Sequence, residues 1–192
     1  MSEPNALRKW IETGYELFAE EGPEGIQVER LARILNLNKS GFYHYFGDME
    51  SFSKELIKHH YQEFDRFLQD AAGCVNVDPA YAMVLLKHKV AVMAQMHLVR
   101  NKSNPMFYGA HKELDDKVGR VVLRIWEDHI GIHNNPELVF QYFGIIRDMF
   151  YSRITWETYT YDYLHELAEE SRDIVSKINS EKENSANNSA GH

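Results

Sequence analysis

The sequence predicts an all-α chain, and three observations predict it. Apolar residues recur at intervals of three, four and seven along most of the length. Prolines stand at or near three of the four helix starts in the second half, where a missing amide costs nothing. No alternating apolar run and no Asn-Gly turn suggests a sheet, and no internal repeat is present. With 192 residues, 44% hydrophobic and 26% charged, the chain can form one large domain, or a small one and a medium one, each with a real core.

The elements follow in order. Leu7, Trp10, Ile11, Leu17 and Phe18 place one buried stripe on a first helix over residues 5–21. Gly22, Pro23 and Gly25 break it. Val28, Leu31, Ala32 and Leu35 give a second helix of about two turns, which stops at Asn36, a residue that tolerates the left-handed conformation. Asn38 offers its side-chain oxygen to the free amides of a third helix, Lys39 to about Tyr45, pinned by Phe42. Gly47 and Asp48 separate and cap a fourth helix, with Phe52, Leu56, Phe64, Phe67 and Leu68 on its core side, running to about Asp70.

After a break at residues 73–79, helices are expected over roughly 79–99, 105–132, 136–156 and 162–179. The most apolar stretch, Tyr81 to Val99, carries Lys87, His88 and Lys89 at its middle, which a bilayer centre would penalise, so it reads as one buried helix and no membrane partner is expected. The tail SEKENSANNSAGH lacks core-forming residues and is expected to be disordered. The expected division is therefore residues 1–47, residues 48–179 and a tail at 180–192. Cys74 is alone, and no export signal is readable at the start, so a cytoplasmic protein is expected.

Two short helices joined by a tight turn are how a helix-turn-helix presents a reading helix to DNA. The net charge of −8 argues against a general nucleic-acid binder. Its distribution matters more: from residue 30 to 47 stand Arg30, Arg33 and Lys39 with no Asp or Glu, a local charge of +3. Weak non-specific binding that leans on dimerisation is expected.

The segment NLNKSGFYHYFGDMESF, together with the Gly-Pro-Glu-Gly turn at 22–25, resembles the TetR family of bacterial transcriptional regulators over about the first sixty residues. The resemblance implies an N-terminal three-helix helix-turn-helix DNA-binding domain followed by a C-terminal helical ligand-binding and dimerisation domain. It also implies DNA contacts at Gln27, Asn38, Lys39, Ser40, Gly41, Tyr43, His44 and Tyr45. Lys39, Ser40 and Gly41 would approach base edges, where Lys donates to guanine O6 and N7. Tyr43 and Tyr45 would donate to phosphates, and His44 could do either. Gln27 stands where the family commonly has a capping Thr, Met49 where it often has Lys, and Gly41 where it has a side chain. Gln is a poorer cap whose amide can still reach an oxygen, and the changes at Met49 and Gly41 lower the expected affinity.

In the second half, Leu164, Leu167, Ala168, Ser171, Ile174, Val175 and Ile178 form a heptad-like seam on the last helix, expected with the helix before it to make a two-fold dimer interface. Met93, His97, Tyr108, His111, Trp126 and Tyr142 suit a mostly apolar cavity with a few orienting hydrogen bonds. A neutral or weakly anionic aromatic or lipid-like inducer is expected there. Carboxylate-bridged iron needs repeated Glu-x-x-His pairs, and only Asp162-Tyr-Leu-His165 comes near. His129 and His133 would share a metal only if their helix ran through Gly131. No metal, cofactor or catalytic residue is therefore expected. The expectation is a homodimeric regulator, a repressor released by a small molecule from a palindromic operator in double-stranded DNA. The alternative is an all-α small-molecule-binding or interaction protein with weak or lost DNA binding.

Overall fold

The computed structural model describes the backbone of residues 3–189 and the side chains of residues 5–177. Every regular element among them is helical: α1 Glu3–Glu21, α2 Val28–Leu35, α3 Lys39–Phe46, α4 Met49–Ala72, α5 Ala82–Lys87, α6 Lys89–Arg100, α7 Pro105–Ile130, α8 Pro136–Arg153 and α9 Tyr161–Ser189. A 3-10 turn, Pro23–Gly25, follows α1, and a π-helical turn, Val77–Tyr81, leads into α5. The helices form two compact units, residues 1–69 with 88–116 and residues 70–87 with 117–192. The expected segment 1–47 lies wholly within the first.

The first four helices end where local chemistry ends them. Asn36 stops α2 in the left-handed region (φ 52, ψ 44). The Asn38 side chain accepts from the Ser40 amide at 3.0 Å and caps α3. Gly47 closes α3 with φ 74, a value that favours glycine, and Asp48 accepts from the Ser51 amide at 2.7 Å at the start of α4. Inside this unit Phe42 is fully buried, with its ring 5.5 Å from Trp10, 5.0 Å from Phe46 and 5.0 Å from Phe52. Gly14 on α1 permits that packing. A Cβ there would lie 2.4 Å from Phe52 Cζ.

Behind the aromatic cluster runs a buried chain of polar groups across α1, α4, α6 and α7. Gln95 Nε2 lies 3.2 Å from the His111 carbonyl and 3.3 Å from Asp115 Oδ1, so this nitrogen donates and Gln95 Oε1 accepts. His60 Nε2, 2.9 Å from that Oε1, must carry the ring proton, and Nδ1 then accepts from the Tyr15 hydroxyl at 2.7 Å. His111 Nδ1 adds a contact of 3.1 Å to the other Asp115 oxygen. The donors all point towards one buried carboxylate. Desolvation, opposed by the Gln95 bond, lowers the His60 pKa to about 4.

In the second unit, Asp78 accepts from the Tyr161 hydroxyl at 2.9 Å and pairs with His165 Nδ1 at 2.6 Å, which ties the π turn to α9. His129 Nε2 donates to the Ala168 carbonyl at 2.9 Å, tying α7 to the same helix. Gly119 admits the Phe140 ring of α8, since a Cβ at 119 would meet Phe140 Cε2 at 2.4 Å.

Four boundaries differ from the sequence expectation. The helix expected over 79–99 is broken at His88 (φ −103, ψ 31), within the polar triplet that interrupts its apolar run. Its second part, α6, is largely buried, but Met83 on α5 is exposed. α7 stops at Ile130 because Gly131 turns to φ 67, and α8 stops at Arg153 because Ile154 is extended. α9 continues through Ser189 where a disordered tail was expected; no Gly or Pro interrupts it before Gly191. Residues 190–192, and the side chains from 178 onward, lie outside the described residues.

Two outcomes follow from this packing. Gly14→Ala gains helix propensity of up to about 1 kcal/mol but forces a methyl into Phe52, for a net loss of about 1–3 kcal/mol in urea unfolding; a stabilised variant would contradict the close approach. The His60 ring should remain the neutral Nε2–H tautomer in nitrogen NMR down to about pH 5. Its folded pKa lies below the unfolded value of about 6.5, so the unfolded chain takes the proton first. Stability is complete above about pH 6.5 and falls towards pH 4, by on the order of 3 kcal/mol from this group.

Candidate nucleic-acid interface

The expected reading helix, α3, has only eight residues, too few to hold helical shape unaided in water. Phe42 and Phe46 face inward and fix it, and Trp10, on the first helix, closes the other side of Phe42. Lys39, Ser40, Tyr43 and His44 consequently face solvent, with Tyr43 52% exposed, while Tyr45 and Gly41 are half-buried. Asn38 and Gln27 are exposed at the starts of α3 and α2. Gln27 makes no side-chain capping bond, whereas Asn38 Oδ1 is taken by its cap and leaves its amide nitrogen to the solvent side. Six of the eight expected DNA-contacting residues, Gln27, Asn38, Lys39, Ser40, Tyr43 and His44, are thus exposed, and all eight lie on α3 or at the starts of α2 and α3. A Cβ at Gly41 would meet no atom within 4 Å, so packing does not require glycine there.

Charge is where structure and sequence part. Lys39 Nζ pairs with Glu29 Oε1 at 2.9 Å, and Arg30 pairs with both Glu21 oxygens at 2.5 Å. Glu29 stands one residue and Glu21 nine residues before the acid-free window of residues 30–47, so two of its three cations are answered from outside it. Arg33 is exposed, with no carboxylate partner among the described residues. The hydrogen bond from Lys39 lowers the Glu29 pKa, and the same bond raises that of Lys39, so both are ionised across the neutral range. Met49, which stands in place of the expected Lys, turns to the wall of a small cavity of about 40 Å³ shared with Tyr15, Phe18, Leu56, His60 and Phe107. Its apolar character therefore has a packing reason.

The expected ligand residues divide between the units. Met93, His97, Tyr108 and His111 belong to the first, Trp126 and Tyr142 to the second. Met93 is fully buried, and His97 packs on Phe18 with its Nε2 buried and unpartnered. His111 belongs to the buried polar chain, and Tyr108 is 46% exposed. Trp126 is buried against Phe143 with an unpartnered Nε1, and Tyr142 is half-buried. None of the six lines the cavity beside Met49. Sequence reasoning missed Tyr15, His60, Gln95 and Asp115 as a unit, because their partnership spans four helices and leaves no local spacing to read.

The expected seam on α9 separates into two stripes. Leu164, Ala168, Ser171 and Val175 are buried within the chain itself, Ser171 donating to the Ala168 carbonyl at 2.7 Å, so they serve this protomer's own core. Leu167 is half-buried and Ile174 is 41% exposed, on the outer side. On α8, Ile145 is 64% exposed and Phe140 is exposed at its edge. Ile178 lies outside the described side chains. His129 and His133 fall on opposite sides of the helix end at Ile130, and no group of three or more metal-ligating side chains occurs among the described residues. No single helix among them is long and apolar enough to cross a membrane.

Residues 11–56 match the family model described as bacterial regulatory proteins, tetR family. No curated protein matches the sequence. Among solved structures, the fold is similar to a transcriptional regulator (TerR/AcrR family) from Aquifex aeolicus VF5, with a TM-score of 0.58 and 21% identity over 90% of this chain and 98% of that one. It is similar also to a TetR-family regulator from Mesorhizobium loti MAFF303099, with a TM-score of 0.59 and 12% identity over 93% and 98%. A transcriptional regulator from Saccharomonospora viridis, solved in complex with choline, matches with a TM-score of 0.64 and 13% identity over 90% and 96%.

Proposed function

We infer that this chain, whose residues 11–56 carry the DNA-binding region of the TetR family, is a ligand-responsive transcriptional regulator that grips a palindromic operator as a homodimer. The observation that carries the reading is the outward row Lys39, Ser40, Tyr43 and His44 on a short helix whose opposite face is locked by Phe42 and Phe46. Lys39 and Ser40 reach base edges, and Tyr43, Tyr45 and the Asn38 and Gln27 amides position the helix on phosphates. The functional division is residues 1–47 for DNA and 48–179 for ligand and partner. The site of action is the cytoplasm, the sign of regulation is repression, and no catalytic step belongs to this reading.

Dimerisation uses the outer stripe of α9, Leu167 and Ile174, with Phe140 and Ile145 of α8, because these remain uncovered after the inner stripe completes the core. Two-fold pairing brings two reading helices to successive major grooves about 34–36 Å apart. A small-molecule inducer releases the operator only by favouring one spacing of the heads over another. The choline complex of the Saccharomonospora viridis regulator supports a small-molecule role for this fold. A second reading, an all-α binding protein that has lost its grip on DNA, draws support from the carboxylates opposite Lys39 and Arg30.

Gel-shift titration with the DNA upstream of its own gene separates the readings. The wild type should give a salt-sensitive complex, and Lys39→Ala with Tyr43→Ala should weaken it by about 1–3 kcal/mol or more; absence of any such complex favours the second reading. Leu167→Glu with Ile174→Glu should halve the mass seen by sedimentation, and an unchanged dimer would remove the outer stripe from the interface.

A further inference from the structure

Five cations stand between residues 27 and 58: Arg30, Arg33, Lys39, Lys54 and Lys58. Four are paired with carboxylates, Arg30 with Glu21, Lys39 with Glu29, Lys54 with Glu50 at 2.7 Å and Lys58 with Glu55 at 3.5 Å. The Lys39–Glu29 pair differs from the last two, which follow helical spacing along α4. It joins the first turn of α2 to the first turn of α3, ten residues apart, and it holds the one cation of the reading helix.

We propose that Glu29 is a specificity-determining residue, one that withholds the Lys39 ammonium from phosphates while leaving it able to read a base edge. The inference rests on the DNA-binding reading above and assigns Glu29 a part within it. An ammonium has three donors and one proton axis is spent on Glu29, so two remain. Guanine O6 and N7 present two acceptors on an uncharged edge, and Lys39 can serve both without leaving its carboxylate. A phosphate also accepts, but it carries a full negative charge that the Glu29 carboxylate opposes. The pair therefore costs little at a guanine and more at an arbitrary stretch of backbone. Selectivity is gained by suppressing the wrong complex.

The test compares full-length wild type, Glu29→Gln, Lys39→Ala and the double variant by fluorescence anisotropy, on a random-sequence duplex and on the upstream duplex, across a salt series. Glu29→Gln should tighten random-sequence binding about tenfold near 0.1 M salt and steepen the log–log salt slope by about 0.9, one further phosphate neutralised. Its effect on the upstream duplex should be under about threefold, and in the Lys39→Ala background it should change random-sequence binding by under about twofold. Equal tightening in both Lys39 backgrounds would make Glu29 a general charge and overturn the proposal, as would equal gains on both duplexes or no gain on either. Failure of every variant to bind either duplex with salt sensitivity overturns the DNA reading itself, and this inference with it.

Discussion

Burial of Phe42 is the constraint on which the first three helices and the start of α4 depend. An eight-residue helix carries too few internal hydrogen bonds to offset its own ordering, so its shape and orientation come from what its inner face packs against. Phe42 meets Trp10 from the first helix and Phe52 from the fourth, and Phe46 meets Phe52 at 4.7 Å. Every outward side chain of the reading helix takes its direction from those contacts. The close passage at Gly14 belongs to the same constraint, since Phe52 reaches the cluster only past a residue without a side chain.

The buried polar chain does a different kind of work. Aromatic packing tolerates small slips, whereas Tyr15, His60, Gln95 and Asp115 must keep donors opposite acceptors or leave a desolvated group unpaired, at about 1–3 kcal/mol each. The chain therefore fixes the register of α1 against α4, α6 and the first part of α7, much as a polar residue fixes the register of a helical pair. Outside it, carboxylates moderate the surface. The first unit is thus built for fixed position, with most of its local positive charge already answered.

What the sequence discloses is mostly what neighbours along the chain decide. Asn36, Asn38, Gly47 and Asp48 each stop or start a helix by their own conformation or side chain, and each was legible. The aromatic run was legible for the same reason, because its spacing alone sends Phe42 and Phe46 to one face. Partnerships between distant residues were not. Glu29 lies one residue outside the window in which the charge looked positive, and only the turn between α2 and α3 brings it to Lys39. The seam on α9 shows the limit from the other side: its spacing is real, but periodicity cannot tell which of two adjoining stripes a protomer keeps for itself. At His88 the polar triplet of residues 87–89 marked a gap in the apolar pattern, but hydrophobic period records burial and says little about a local bend, so one continuous helix was expected where the backbone breaks.

Gly41 gives the reading helix an unusual freedom. A Cβ at this position would meet no atom within 4 Å, so packing leaves room for a small side chain there. Its neighbour Phe42 is committed to the core, whereas Ser40 gives only its backbone amide to the cap. On the proposed reading, a small side chain at residue 41 would change the face offered to an operator while the packing contacts beneath it stayed as they were, so a lineage could move between operators through that single position.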